Sequence, residues 1–236
     1  MTVTLGDPEP GHSLARNLRH QRTVDSAPRT ARGQRTRHRL LEAAEAVFGD
    51  LGFHATSIAD ITRHAHVAQG TFYLYFDSKL GVFVELFEQM GHDLRSQLRI
   101  ATANVPDRLS VETAGLAAFL AYAVEHPRLY RIAREAEFVV PVHWQEWYDK
   151  LIEPYAAGLE AAIQTGQIRH LEPKVMACAL IGLADFVGLQ ILVRRQMRTV
   201  PTEVVRTLSE FIAFGLVVPA DDLILAPASR QMNRLS

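Results

Sequence analysis

Apolar residues recur at the helical period in almost every segment after Gly33, and this regularity constrains the fold more than any other feature. Leu40, Ala44, Val47 and Phe48 fall on one face of a helix, because spacings of three, four and seven residues return to the same side. No segment alternates apolar and polar residues for long enough to predict a strand. The sequence therefore predicts an all-α protein.

The stretch Leu51 to Met90 has the punctuation of two short helices between long ones. Gly52 ends the first long helix, because glycine tolerates the left-handed conformation found at helix C-termini. Ser57 caps a short helix, His66-Val67 forms a tight turn, and Ala68 to Tyr75 forms a second short helix. Two helices joined in this way form a helix-turn-helix, whose second helix fits the DNA major groove.

The net charge of −1 conceals a strong local asymmetry. From His12 to Arg39 there are eight arginines and one acid, whereas from Leu40 to Met90 there are two bases and seven acids. Guanidinium groups match phosphate geometry, so we expect the first segment to supply most of the attraction to a polyanion. We interpret residues 1–33 as a flexible arginine-rich arm, the alternative being a solubilising tail.

Several other classes of protein are disfavoured by the sequence. A single cysteine, Cys178, excludes an internal disulfide framework. No phosphate loop, dinucleotide-binding fingerprint, serine-hydrolase elbow or zinc-protease motif occurs, so we predict no enzymatic activity and no cofactor. His64 and His66 lack further ligands at metal-binding spacing, so no metal site is expected.

Membrane insertion and secretion are also disfavoured. Val175 to Val193 is the most apolar stretch, but Asp185 and Gln190 interrupt it. Met1 to Pro10 contains two acids and lacks the apolar region of a secretory signal. We therefore expect a cytoplasmic, nucleoid-associated protein that does not interact with membranes.

The run Gly70-Thr71-Phe72-Tyr73-x-Tyr75-Phe76-x-Ser78-Lys79 resembles the signature of the TetR family of bacterial transcriptional regulators. The resemblance covers roughly Arg35 to Met90. It implies a helix-turn-helix DNA-binding domain over 34–80, a helical ligand-binding and dimerisation domain over 81–220, and a tail over 221–236. The implied function is a homodimeric repressor that binds a palindromic operator in double-stranded DNA and is released by a small, largely apolar effector. The alternative is a protein–protein interaction adaptor with a degenerate DNA-binding domain.

The DNA-contacting residues are predicted from the resemblance and from side-chain chemistry. They are Arg32, Arg35, Thr56, Gln69, Gly70, Thr71, Phe72, Tyr73 and Lys79. Gln69 is the best candidate for reading a base, because its amide can bond adenine in bidentate fashion. Thr56, Tyr73 and Lys79 are assigned to phosphate, and Thr71 to a phosphate or a thymine methyl group. Phe72 either contacts a thymine methyl group or packs inside. Arg32 and Arg35 are expected to precede the first helix and to reach the minor groove.

The sequence also departs from the family pattern. His66 stands where a turn glycine is usual, Ala68 where a capping serine is usual, and Leu74 where a polar phosphate-contacting residue is common. With the acidic balance of this region, these departures leave few polar groups for DNA. We therefore expect unusual dependence on the arginine-rich arm.

A ligand cavity is predicted from aromatic residues at helical spacing in the C-terminal region. Its predicted lining residues are Phe119, Tyr122, Arg134, Glu137, Phe138, Trp144, Trp147, Tyr148 and Phe186. Arg134 is assigned to an acidic or acyl end of the ligand. The alternative is that these aromatic residues are simply core.

The apolar stretch from Val175 to Val193 needs neighbours on all sides, and its small residues permit close approach of another helix. With the last helix it is expected to build a four-helix dimer interface. The residues predicted for this interface are Ala179, Gly182, Gly188, Leu208, Phe211 and Ile212. The alternative is the central core helix of a monomer.

Overall fold

The computed structural model describes residues 30–217, apart from the side chain at position 192, and every regular element in this range is helical. The predicted all-α fold is confirmed. The chain divides into two compact units between Leu86 and Phe87. Most of the predicted arm and the whole predicted tail, 221–236, lie outside the described residues.

Within residues 30–86, the first unit contains three helices and the start of a fourth. They are α1 (Ala31–Leu51), α2 (Ile58–His64), α3 (Gln69–Phe72) and α4 (Lys79–Thr102), the last of which continues into the second unit. Helix α1 begins before the predicted boundary, because the Thr30 hydroxyl accepts a hydrogen bond from Gly33 N at 3.1 Å. Arg32 and Arg35 therefore lie within α1, and the prediction that they precede the first helix is wrong.

The core of the first unit is aromatic and follows the predicted stripe on α1. Leu40 is 0% exposed and Phe48 is 1% exposed. The Phe48 and Phe83 rings meet edge to face with centroids 5.4 Å apart, and Phe53 lies 5.0 Å from Phe83. Helix α1 ends where predicted, because Gly52 has φ 84° and its N–H donates to Phe48 O.

The second unit continues as helices, several of which begin at prolines. They are the rest of α4, then α5 (Arg108–Glu125), α6 (Pro127–Val139), α7 (Pro141–Gln164), α8 (Pro173–Val187), a π-helix (Gly188–Val193) and α9 (Thr202–Leu216). Proline is favoured at a first helical position because the N–H that it lacks would have no partner there. Pro201 is the N-cap residue of α9, and Pro154 lies inside α7.

The apolar core of the second unit centres on Leu120 and Leu159, which are both 0% exposed. An ionic cluster lies beside it. The Arg108 guanidinium pairs with Glu112, whose side chain is 5% exposed, and the Tyr155 hydroxyl donates to the same carboxylate. Burial, with Glu112 beside it, raises the pKa of Tyr155, so this phenol stays protonated and holds the carboxylate.

Helix α8 is strongly apolar, yet much of it is open in the single chain. Met176 and Ala177 are buried, whereas Val175 and Phe186 are 66% and 63% exposed. By length and mean hydropathy alone, 1.6 over its window, Pro173–Ile191 qualifies as a membrane span among the described residues. The core helix of a soluble protein passes the same test. The structure therefore leaves an apolar helix face uncovered.

Candidate nucleic-acid interface and ligand cavity

Helices α2 and α3 are joined by a tight turn, as the sequence predicts. Ser57 and Asp60 form a capping box at the start of α2, which satisfies two backbone N–H groups there. After α2 the chain reverses through His66, whose φ of 53° is left-handed, and Val67 N donates to Thr62 O at 3.0 Å. Histidine therefore adopts the conformation for which the family commonly uses glycine.

Two cations fix the ends of α2. The Arg39 guanidinium donates to the carbonyl oxygens of Ala65 and His66, in the turn that follows α2. Lys79 Nζ donates to the carbonyl oxygens of Phe53 and Thr56, in the loop that precedes α2, both at 2.7 Å. Cationic donors to carbonyls make stronger hydrogen bonds than neutral donors do. These two side chains therefore position the helix-turn-helix.

The outer face of α3 carries the residues predicted to contact DNA. Gln69, Gly70 and Tyr73 are exposed, and Thr71 is half-buried. The opposite face is anchored by Phe72, which is 0% exposed and whose ring lies 5.5 Å from the Phe76 ring. The helix is shorter than the predicted Ala68 to Tyr75. It also lacks a side-chain cap, since alanine stands at its N-cap position.

The structure places three predicted DNA contacts elsewhere. Thr56 is 2% exposed and its hydroxyl donates to Gly52 O at 2.7 Å, so the predicted phosphate contact is contradicted. Phe72 is buried, which leaves the packing alternative and excludes contact with a thymine methyl group. Lys79 is occupied by loop carbonyls instead of facing phosphate. All three side chains help to hold the helix-turn-helix in place instead of contacting DNA.

Arg32 and Arg35 are exposed on the first two turns of α1, where no acid accompanies them. A cation near a helix N-terminus opposes the helix dipole, so this arrangement gives no benefit to the helix itself. A phosphate beside these side chains would reverse the unfavourable interaction. Both residues therefore remain candidates for contacts with the phosphate backbone of DNA, made by side chains on α1.

In the second unit an aromatic cavity of about 40 Å³ lies between helices. Seven of the nine residues predicted for a ligand cavity line it: Phe119, Tyr122, Arg134, Glu137, Trp144, Trp147 and Tyr148. Phe138 and Phe186 do not, because they are 80% and 63% exposed on outer helix faces. Further lining comes from residues that the sequence analysis missed, among them Phe87, Met90 and Tyr130.

The polar side of this cavity is already paired. The Arg134 guanidinium lies 3.1 Å from Asp185 Oδ2, and the Tyr130 hydroxyl donates to Asp185 Oδ1 at 2.5 Å. Burial is the main cause that raises the pKa of Tyr130, and the neighbouring Asp185 carboxylate raises it further. Burial also raises the pKa of Tyr148, to about 12. The assignment of Arg134 to an acidic ligand end is therefore unfavourable, because Asp185 already neutralises it.

A second cavity of about 220 Å³ shares Phe87 and Trp147 with the first but is polar. Its remaining lining residues are Glu88, Arg95, His143, Glu146 and Lys150. These five side chains do not form a recognisable pattern in the sequence. One signal for the site was present in the sequence. Arg95 lies four residues after Gly91, so the two residues share a face of α4.

The residues predicted for a dimer interface separate into two groups. Ala179 and Gly182 are exposed on α8, and Phe211 is 68% exposed on α9. Gly188 packs against Phe119 and Leu120, and Ile212 is 6% exposed, so both belong to the core of their own unit and their assignment is contradicted. Leu208 is half-buried against the same core.

The open apolar surface on α8 and α9 is larger than predicted. It includes Phe214, which is 90% exposed, together with Val175, Phe186 and Phe211. Such a surface is uncommon on a monomeric soluble protein. Among residues 30–217, no three histidine, cysteine or acidic side chains lie close enough together to hold a metal ion.

Residues 40–86 match the family profile described as bacterial regulatory proteins, tetR family. This region of the chain belongs to the TetR family. The chain is 34% identical over 95 residues to the HTH-type transcriptional regulator YdgC of Bacillus subtilis, and this match covers 40% of the chain and 47% of YdgC. It thus spans about half the length of that relative.

Longer similarities extend beyond the helix-turn-helix. The TetR-family chain is 25% identical over 201 residues to the HTH-type transcriptional regulator EthR of Mycolicibacterium smegmatis, covering 79% of the chain and 92% of EthR. The solved structure of the fatty acid degradation regulator FadR from Bacillus halodurans superimposes with a TM-score of 0.69 at 18% identity. That superposition covers 76% of this chain and 95% of FadR, and at this identity it shows the shared fold alone.

Proposed function

We propose that this TetR-family protein is a transcriptional regulator that lays α3 in the major groove of double-stranded DNA. One observation carries the proposal: in and directly after a short helix anchored by the fully buried Phe72, Gln69 and Tyr73 are exposed and Thr71 is half-buried. Gln69 reads a base edge, and Thr71 and Tyr73 bond phosphates. Arg32, Arg35 and the arginines before them hold the DNA backbone.

We propose that a second copy of the chain packs against the exposed apolar surface of α8 and α9. Phe211 and Phe214 are two-thirds or more exposed there, and burying them across a two-fold axis would remove that surface from water. A lipid bilayer is the less favourable cover, because a membrane span through α8 would carry the Asp185 carboxylate into hydrocarbon. The dimer presents two copies of α3 to two half-sites of a palindrome, about 34 Å apart.

The proposed effector is a small, largely apolar molecule that binds the second unit. The aromatic cavity of about 40 Å³ holds little more than a few water molecules, so a larger ligand must displace its walls. Helix α4 contributes Phe87, Met90 and Leu94 to those walls, and its first turns belong to the DNA-binding unit. Movement of α4 therefore biases the spacing of the two α3 helices, which releases the operator and relieves repression.

The proposal is tested by selecting DNA from a random pool with the full-length protein in a cytoplasmic buffer. We expect a palindromic site, bound by two chains, and transcription that falls when this site overlaps a promoter. Gln69→Ala should change the selected sequence, whereas Glu42→Gln, an exposed substitution on α1, should not. Failure to select any sequence would contradict the proposal and favour the adaptor function.

A further inference from the structure

We propose that the polar cavity of the second unit is an anion site, in which Arg95 and Trp147 bind the carboxylate of an apolar carboxylic acid. This inference rests on the proposed effector function and assigns the chemical class of the effector. It also changes the predicted partner of the acidic end, since Arg134 is already paired with Asp185.

In the described part of the chain, two hydrogen-bond donors near this cavity have no acceptor. Among the described residues, Arg95 Nη1 and Trp147 Nε1 are buried nitrogen atoms without a hydrogen-bond partner. A buried donor that loses water and gains no acceptor is unfavourable, and more so when it carries charge. A ligand oxygen would satisfy both groups, so the cavity selects for an acceptor.

The two donors also converge on one place. Gly91 has no side chain, and a Cβ built on it would lie 2.0 Å from Trp147 Nε1 and 3.0 Å from Arg95 Nη1. Both nitrogens therefore lie beside the same turn of α4. The two oxygens of a carboxylate match such a pair of neighbouring N–H donors.

The cavity lining carries two acids and two permanent cations, and among these four groups it is the Arg95 guanidinium that has a buried nitrogen. Glu88 is 59% exposed and lies 3.3 Å from His143 Nδ1, and Glu146 and Lys150 are exposed to water. Water and counterions screen these outer charges, whereas the buried end of Arg95 is screened far less. The strongest interaction available to a ligand is therefore with Arg95.

The apolar part of the ligand is expected to enter the aromatic cavity. Phe87 and Trp147 line both cavities, so a molecule that contacts Arg95 lies beside the aromatic rings. The polar cavity, about 220 Å³, has room for a head group, while the aromatic cavity, about 40 Å³, must widen. A carboxylic acid with a flexible apolar chain satisfies both conditions.

The test measures binding of sodium octanoate to the full-length protein by calorimetry, with 1-octanol and inorganic phosphate as comparison probes. We expect octanoate to bind at least about 10-fold more tightly than octanol, because only octanoate can pair with Arg95. Phosphate, which lacks an apolar chain, should bind weakly. Equal affinity for octanoate and octanol would overturn the proposal.

Three variants sharpen the test. Arg95→Gln should weaken octanoate binding at least about 10-fold and leave octanol binding unchanged, and Trp147→Phe should weaken octanoate binding by a smaller factor. Arg99→Gln is the matched control, because Arg99 is exposed one turn further along α4 and does not line the cavity. Unchanged octanoate binding by Arg95→Gln would overturn the proposal. DNA affinity measured without octanoate tests the proposed function separately.

Discussion

The Lys79 ammonium donates a hydrogen bond of 2.7 Å to the carbonyl oxygen of Thr56, across 23 residues of sequence. It makes a second bond to Phe53 O and lies 4.4 Å from the centroid of the Phe53 ring. One cation thus joins the start of α4 to the loop before α2. This side chain supports the DNA-binding surface without belonging to it.

Lys79→Met is therefore predicted to destabilise the protein by roughly 2 kcal/mol or more, because two carbonyls lose a charged donor. Urea unfolding followed by circular dichroism measures this change. Lys174→Met is the control, since Lys174 pairs with Glu153 on an exposed surface and should change stability little. If Lys79→Met left stability unchanged and only weakened DNA binding, Lys79 would be a phosphate contact after all.

The arginine-rich arm is predicted to dominate the salt dependence of DNA binding. Deleting residues 1–29 removes four arginines and keeps Thr30, the N-cap residue of α1. Fewer phosphate counterions are then released, so log affinity should fall less steeply with log salt concentration. Fluorescence anisotropy from low to moderate salt gives the slope. An equal slope for the deleted and full-length chains would contradict the predicted role of the arm.

Replacing the left-handed His66 by glycine is predicted to stabilise the protein, whereas most substitutions destabilise it. His66 has φ 53°, so His66→Gly should raise the free energy of unfolding by about 0.5–1 kcal/mol. The hydrogen bond from Arg39 is made to the backbone and survives the substitution. Ala59→Gly, on an exposed face of α2, should lower the stability by about the same amount. Equal losses for both variants, in urea unfolding, would refute the turn geometry.

Alkaline pH is predicted to destabilise the second unit through its buried phenols. Burial raises the pKa of Tyr148 from 10.0 to about 12, so the folded chain holds this proton more tightly than the unfolded chain does. Stability therefore falls as pH rises from 10 towards 12. Tyr148→Phe should lose less stability over that interval, measured as urea midpoints. Tyr73→Phe, which alters an exposed ring, should behave as the unmodified chain does.

Local signals made much of the fold predictable. The stripe that contains Phe48, the stop at Gly52 and the cap at Ser57 each depend on residues within one or two helical turns. Trp144, Trp147 and Tyr148 were predictable as a group, because residues three and four apart share a helix face.

What the sequence did not reveal depends on partners far along the chain. Arg134 pairs with Asp185, 51 residues away, so its role as a ligand contact was wrongly inferred from its position on α6. Phe138 and Phe186 have the same chemistry as the lining aromatics, but the packing of neighbouring helices leaves them outside. Arg95 lines the polar cavity together with Trp147 only because α7 places Trp147 against α4 at Gly91.

The central claim is that the open face of α3 contacts DNA, and a combined substitution tests it most directly. In Gln69→Ala/Thr71→Ala/Tyr73→Phe the buried Phe72 is kept, so the fold should persist in circular dichroism. Fluorescence anisotropy on the selected palindrome should show affinity reduced to that for unrelated duplex DNA. Unchanged affinity and sequence preference in the folded variant would contradict the account.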